Sequence, residues 1–276
     1  MPLISPETLL TRVGDPDLRI ADVRWWLADR AKGRRDYDAA HLPGAVFVDL
    51  DTDLAALPGP GRHPLPSPAD FAARMAELGF DDRTAIVAYD DAGGTIAARL
   101  WWMLDDLGHH RVRVLDGGIA AWEAMGGPLT EEVPAVTPGH LTLADHWSRT
   151  IDGDGLAARL GTVGLIDARA PERYRGEIEP VDAVGGHIPT AVSRPSGGNL
   201  GADGRFQAPD VLRARFEALS DAGDVVTYCG SGVTACHNAL AMRVAGLADP
   251  ILYAGSYSDW TRGARPVATR DEPGSA

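Results

Sequence analysis

The sequence predicts an α/β protein made of two tandem domains, each a mostly parallel sheet flanked by helices. Three observations carry this. The chain has 276 residues, enough for one large domain or two of ordinary size, either with a proper core. Short β-branched runs alternate with helical segments, the pattern of strands buried on both faces under helices. Finally, the chain repeats itself. Asp22-Val23-Arg24 returns as Asp167-Ala168-Arg169, His41-Leu42-Pro43-Gly44-Ala45 as His187-Ile188-Pro189-Thr190-Ala191, Ile86–Asp90 as Val225–Cys229, and Trp122 as Trp260. The offsets of 145, 146, 139 and 138 residues keep one order with small gaps. That spacing is one domain, not a solenoid repeat.

The elements follow in chain order. Ser67-Pro68-Ala69-Asp70 starts a helix, with Ser as N-cap and Pro in the first turn, and Gly79 closes it. Ala85–Tyr89 reads as a buried strand, Thr95–Leu107 as a helix stopped by Gly108, and Arg113–Leu115 as a second strand. A Pro-rich, aperiodic stretch begins at Gly126. The first domain is therefore set at 1–125, a linker at 126–150 and the second domain at 151–276. There Val163–Asp167 and Val225–Tyr228 read as strands, and Val233–Ala245 as a helix ending at Gly246.

Composition narrows the function. The formal net charge of −13 argues against nucleic acid or an anionic membrane as a partner, since both reward clustered cations. Two cysteines, Cys229 and Cys236, cannot build a disulfide framework or a Cys-rich zinc site. Cys236-His237 lacks further ligands at suitable spacing, so no metal is expected. The start MPLISPETLL does not read as a signal peptide, and no apolar run approaches the roughly 20 residues of a bilayer span. A cytoplasmic protein with reduced thiols is expected.

The chemistry concentrates in Tyr228-Cys229-Gly230-Ser231-Gly232-Val233-Thr234-Ala235-Cys236. A buried strand runs into a cysteine, a loop with two glycines follows, and a helix begins. Gly230 and Gly232 let the backbone bend so that successive N–H groups point inward, and the helix adds its positive end there. Such an anion cradle lowers a cysteine pKa to about 3.5–7.5 and makes the thiolate a nucleophile at neutral pH. Without that loop, a lone cysteine would read as a small buried hydrophobe. Cys236, two helical turns on, reads as core. The first repeat has Asp90 in place of Cys229. A carboxylate there cannot attack sulfur; it would imitate a bound anion and hold the loop in shape, so only the second half is expected to be catalytic. A phosphatase-type Cys-x5-Arg loop would need Arg at position 235, where Ala235 stands. Sulfur transfer through a persulfide needs no such Arg.

With the tandem halves, the Asp-for-Cys exchange and the Cys229–Ala235 loop, the chain resembles the two-domain rhodanese family. Further matches are Asp22–Trp25, His41–Ala45, Trp101-Trp102, Leu115–Gly118, Asp167–Arg169, Arg173–Gly176, Gly186–Pro189 and Ala254–Trp260. Within that family the loop is similar to that of the 3-mercaptopyruvate sulfurtransferases, whereas thiosulfate enzymes carry Arg and Lys where Gly230 and Ser231 stand. The resemblance implies two rhodanese-like domains and a cycle in which Cys229 takes a sulfur atom from 3-mercaptopyruvate, releases pyruvate, and passes the sulfur to a thiol, cyanide or a thioredoxin-like protein, with no cofactor. It implies that Arg173 holds the donor's anionic group and that Ser231 assists proton movement. It implies roles for His41 and Trp25 of the first half and for Glu179 of a Glu-Pro pair. Animal enzymes of this type have a second arginine just after that pair, where Val181-Asp182 stands; either Arg175 or Arg169 replaces it, or carboxylate binding is weaker and the specificity broader. An Arg close to an Asp, as Arg169 is, otherwise reads as a structural ion pair. His41 recurs as His187 in both copies, which favours a structural role. Two other readings are a thiosulfate:cyanide sulfurtransferase and a rhodanese-like sulfur carrier without turnover.

Overall fold

Three helix starts are fixed locally by side-chain caps, which take up backbone N–H groups that a first helical turn leaves unpaired. Ser67 Oγ accepts from Asp70 N at 3.1 Å ahead of the helix Pro68–Glu77. Ser5 and Asp152 do the same for Pro6–Leu10 and Gly153–Ala157. The computed structural model describes residues 1–220, 223–263 and 265–271. Two units result. The first holds Met1–Ala56, Leu65–Ser148 and Ala202–Phe206; the second holds Leu57–Pro64, Arg149–Gly201 and the described residues from Gln207 on.

In the first unit the strands are β1 (Leu3–Ile4), β2 (Leu18–Asp22), β3 (Ala45–Phe47), β4 (Ala85–Tyr89) and β5 (Val112–Leu115), in the order β1-β5-β4-β2-β3 with parallel neighbours. In the second they are β6 (Gly164–Asp167), β7 (Val192–Ser193), β8 (Val225–Tyr228) and β9 (Ile251–Leu252), in the order β7-β6-β8-β9, again parallel. The sets β5-β4-β2-β3 and β9-β8-β6-β7 share one topology, so the sequence repeat is a fold repeat. Where the first unit has β1, the second has a single parallel bridge from Thr150 to Leu252.

The correspondence extends to side chains. Trp122 and Trp260 are fully buried, and each donates its indole N–H to a proline carbonyl six residues on, Pro128 at 2.8 Å and Pro266 at 2.7 Å. Each anchors an apolar cluster: Ile20, Val87, Tyr89 and Leu115 around Trp122, and Leu165, Val226, Tyr228 and Tyr253 around Trp260. A buried aromatic of this size removes about 150–250 Å² from water.

Three segments depart from the predicted boundaries. Leu57–Pro64 clusters with the second unit and Ala202–Phe206 with the first. The expected linker is packed along the first unit as far as Ser148: Thr130 bridges His41, Ala144 N donates to Leu107 O, and Trp147 stacks on Trp102. No helix among the described residues is long and apolar enough to cross a membrane.

Candidate active site

β8 is wholly buried and lies between β6 and β9, so Cys229 emerges at the carboxyl end of an inner parallel strand, where such sheets bind ligands. Its backbone is clamped on both sides. Cys229 N donates to Ser256 Oγ at 3.2 Å, and the carbonyls of Cys229 and Gly230 accept from Tyr257 N and Ser258 N, each at 3.0 Å. Ser256 holds this place in the left-handed region, at φ 54°, an uncommon state for a residue with a side chain. Its Oγ in turn donates to Tyr253 O at 2.8 Å.

The loop then folds back over the sulfur. Ser231 N–H donates to Cys229 Sγ at 3.5 Å. Gly232 sits at φ 78°, and a Cβ there would run into Ala254 O. The helix starts at Ala235, two residues later than predicted, so Val233 and Thr234 belong to the loop. Cys236 is buried inside that helix, its thiol directed at Gly232 O at 3.4 Å.

The first unit shows what such a loop holds. Asp90 Oδ1 accepts from Ala92 N and Gly94 N at 2.9 and 2.8 Å, and Oδ2 from Ile96 N and Ala97 N at 2.7 and 2.9 Å. An aspartate oxygen lies two bonds from Cβ, as does the outer sulfur of a cysteine persulfide. Asp90 thus places its carboxylate where four loop amides converge. The matching amides beside Cys229 are those of Ser231, Val233, Ala235 and Cys236; the first already reaches Sγ, and the last donates to Val233 O at 3.0 Å.

The histidine that meets the loop is His63, not His41. His63 Nδ1 lies 2.9 Å from Ser231 Oγ, and His63 is 3 % exposed. It arrives on the Leu57–Pro64 segment, whose Arg62 N donates to Ser258 Oγ at 3.1 Å. His41 stays in the first unit, stacked on Tyr37, with Nδ1 on Tyr37 O and Nε2 on Glu132 O. His187 repeats the stacking on Tyr174. Both ring nitrogens of His41 are engaged with backbone, so the geometry does not favour the implied role for it. A signal for His63 was present, since Gly61-Arg62-His63 recurs as Gly204-Arg205-Phe206. Histidine is kept only in the copy that packs with Cys229.

Arg173 approaches the loop. A Cβ on Gly230 would lie 3.5 and 3.7 Å from its two terminal nitrogens. Its guanidinium is held by Glu179, at 3.1 Å from Nε and 2.7 Å from Nη2, and Glu179 also accepts from Val181 N and Asp182 N at 3.0 Å each. Burial alone would raise the pKa of Glu179, but Arg173 and the amides of Asp182 and Val181 outweigh it and lower it. Glu179 therefore orients Arg173. Arg175 is turned to Glu177 at 2.7 Å, so the geometry does not support it as the second arginine. Arg169 is saturated as well, paired with buried Asp167 at 2.7 Å and lying 3.7 Å over the Tyr257 ring. Trp25 lies in the first unit and donates to Asp51 Oδ2 at 2.9 Å. Among the described residues, no group of three or more His, Cys, Asp and Glu is placed to hold a metal ion.

A rhodanese-like domain model matches residues 5–125 and again 153–262. The chain is 46% identical over 279 aligned positions to the probable 3-mercaptopyruvate sulfurtransferase of Pseudomonas aeruginosa, covering 98% of each. It is 35% identical over 260 positions to the thiosulfate sulfurtransferase of Rattus norvegicus, covering 91% of this chain and 87% of that one. Among solved structures, SseA from Escherichia coli, described as a 3-mercaptopyruvate sulfotransferase of the rhodanese fold, superposes with a TM-score of 0.81 at 29% identity, over 94% of this chain and 99% of that one.

Proposed function

Because the chain belongs to the rhodanese family and is a sulfurtransferase, we propose that it takes sulfur from 3-mercaptopyruvate onto Cys229 and passes it to a thiol or cyanide, releasing pyruvate. The observation that carries this reading is the pair Ser231 Oγ and His63 Nδ1, 2.9 Å apart, with Ser231 two residues after the thiol. Thiosulfate is a dianion with no proton to move, and neither Gly230 nor Ser231 carries a cation of its own for it. 3-Mercaptopyruvate has a thiol proton to relocate and a single carboxylate to hold.

The step balances without an oxidant. The Cys229 thiolate attacks the donor's sulfur, an S–S bond forms, and the donor's C–S bond breaks with its electron pair leaving on carbon as the pyruvate enolate. The donor's thiol proton ends on that carbon. Ser231 and His63 form the hydrogen-bonded path for it, and Arg173, steadied by Glu179, holds the carboxylate. The outer sulfur of the persulfide lies among the loop amides, as Asp90 does among its own. An acceptor thiolate or cyanide then attacks the outer sulfur and restores the Cys229 thiolate.

The test sets the two donors side by side. Turnover of 3-mercaptopyruvate should exceed that of thiosulfate in kcat/KM by about ten- to a hundredfold, the worth of one missing charge-assisted contact to the dianion. Without acceptor, the protein should gain the mass of one sulfur atom, and Cys229→Ser should gain none. His63→Ala should lower kcat with 3-mercaptopyruvate by about 10²–10⁴, the usual share of general acid–base catalysis. A preference for thiosulfate, or sulfur loading that persists in Cys229→Ser, would sink the reading.

A further inference from the structure

The position after Glu179-Pro180, where the animal-type pattern leads one to expect a second arginine, holds Val181-Asp182. Asp182 does not leave the site one guanidinium short; it imports one. One of its carboxylate oxygens accepts from Arg173 Nη2 at 3.0 Å, and the other pairs with Arg62 Nη1. Arg62 belongs to the Leu57–Pro64 segment, which Arg262 also ties down through Gly61 O at 3.2 Å. The side chain of Asp182 is 4% exposed, whereas those of Arg62 and Arg173 keep 20% and 19%. A Cβ on Gly230 would lie 2.6 Å from Arg62 Nη2, closer than either terminal nitrogen of Arg173. Two guanidinium groups therefore overlie the residue that follows the nucleophile, joined by one buried carboxylate. The repeat supplies a control. Its matching Arg205 pairs at 3.6 Å with Glu7, which is 60% exposed, so the shared Gly-Arg turn does not by itself create this cluster.

We propose that Arg62 is the second donor-binding arginine, sharing the carboxylate of the sulfur donor with Arg173, and that Asp182 is the positioning residue that holds both. A planar guanidinium fork matches a carboxylate in a way that a point charge does not. Arg62, Arg173, Glu179 and Asp182 sum to zero charge, so the cluster reads the forked shape of a monoanion and gives little extra reward to a dianion. The inference rests on the reading of Cys229 as the sulfur-carrying residue.

One test does not need turnover. Iodoacetate and iodoacetamide both alkylate a thiolate, and only the first bears a carboxylate. The ratio of their rates at Cys229, measured on the full chain, should fall about tenfold in Arg62→Gln and less in Arg62→Lys, which keeps the charge and loses the fork. With 3-mercaptopyruvate, KM should rise about tenfold in Arg62→Gln while kcat moves by less than roughly threefold. An unchanged alkylation ratio in both variants, or a lower kcat at unchanged KM, would overturn the proposal. Should Arg62→Gln fail to fold, Arg62→Lys carries the same two readouts. If the wild type does not turn over 3-mercaptopyruvate, the functional reading fails, and the alkylation ratio still decides the role of Arg62.

Discussion

Residue identity at the site was legible where the signal was local. Cys229, Gly230, Ser231 and Gly232 stand in a row, and their spacing alone describes a thiol under a loop of amides. The histidine was not legible in that way. His41 lies two residues before Pro43 and His63 one before Pro64, and only His63 Nδ1 reaches Ser231, a partner 168 residues away. Glu179 illustrates a role that geometry redefines, since its carboxylate grips the Arg173 guanidinium and so orients it. Its folded pKa is lowered, so its contribution to stability is present above the ordinary carboxylate pKa of 4.5 and is lost as pH falls through the folded value. Glu179→Gln should therefore be less stable than wild type at neutral pH, with the gap closing in acid. Urea unfolding at pH 7 and again well below pH 4.5 measures it; a gap that widened in acid would contradict the assignment.

At the scale of elements, the strand–loop–helix unit is set by short-range rules, and the structure changed only its margins. The helix after Cys229 starts at Ala235 because Val233 and Thr234 are spent closing the loop. Ser256 was not marked by any local signal, because its positive φ is imposed by the turn that delivers its hydroxyl to Cys229 N. Gly232 is the weak point of the unit. Gly232→Ala would add both the strain of a left-handed alanine and a collision with Ala254 O. It should lower stability by about 1 kcal/mol or more and remove most turnover. Gly197→Ala, with no neighbour to meet, is the control. Thermal unfolding and sulfur loading of the two variants distinguish a bent loop from a general loss of folding.

Across the whole molecule, the repeat makes one copy a template for the other. The four amides on Asp90 show how tightly this loop grips a fixed negative charge. Asp90→Ala would strand those N–H groups, each worth about 1–3 kcal/mol when buried and unpaired, though not additively. It should lower the melting temperature by several degrees while the folded protein still loads sulfur on Cys229. A variant as stable as wild type would show that the carboxylate is not what holds the loop. The two Gly-Arg turns make the same point about exchange. Gly61-Arg62-His63 clusters with the second unit and Gly204-Arg205-Phe206 with the first, so each half of the sequence lends a segment to the other. No periodicity signals this, because segment docking depends on tertiary shape and not on a local repeat of apolar residues.

By itself the sequence determined that the chain is α/β, that it is duplicated, and that the second copy carries a thiol in an amide loop while the first carries a carboxylate in the same place. These follow from hydrophobic period, turn residues and helix caps, all of which act over a few residues. The tertiary structure alone decided which histidine meets Ser231 and which arginines surround Gly230. The contacts of His63 and Arg62 join positions more than a hundred residues apart, and only the packing of a loop with no period of its own brings them within hydrogen-bond reach.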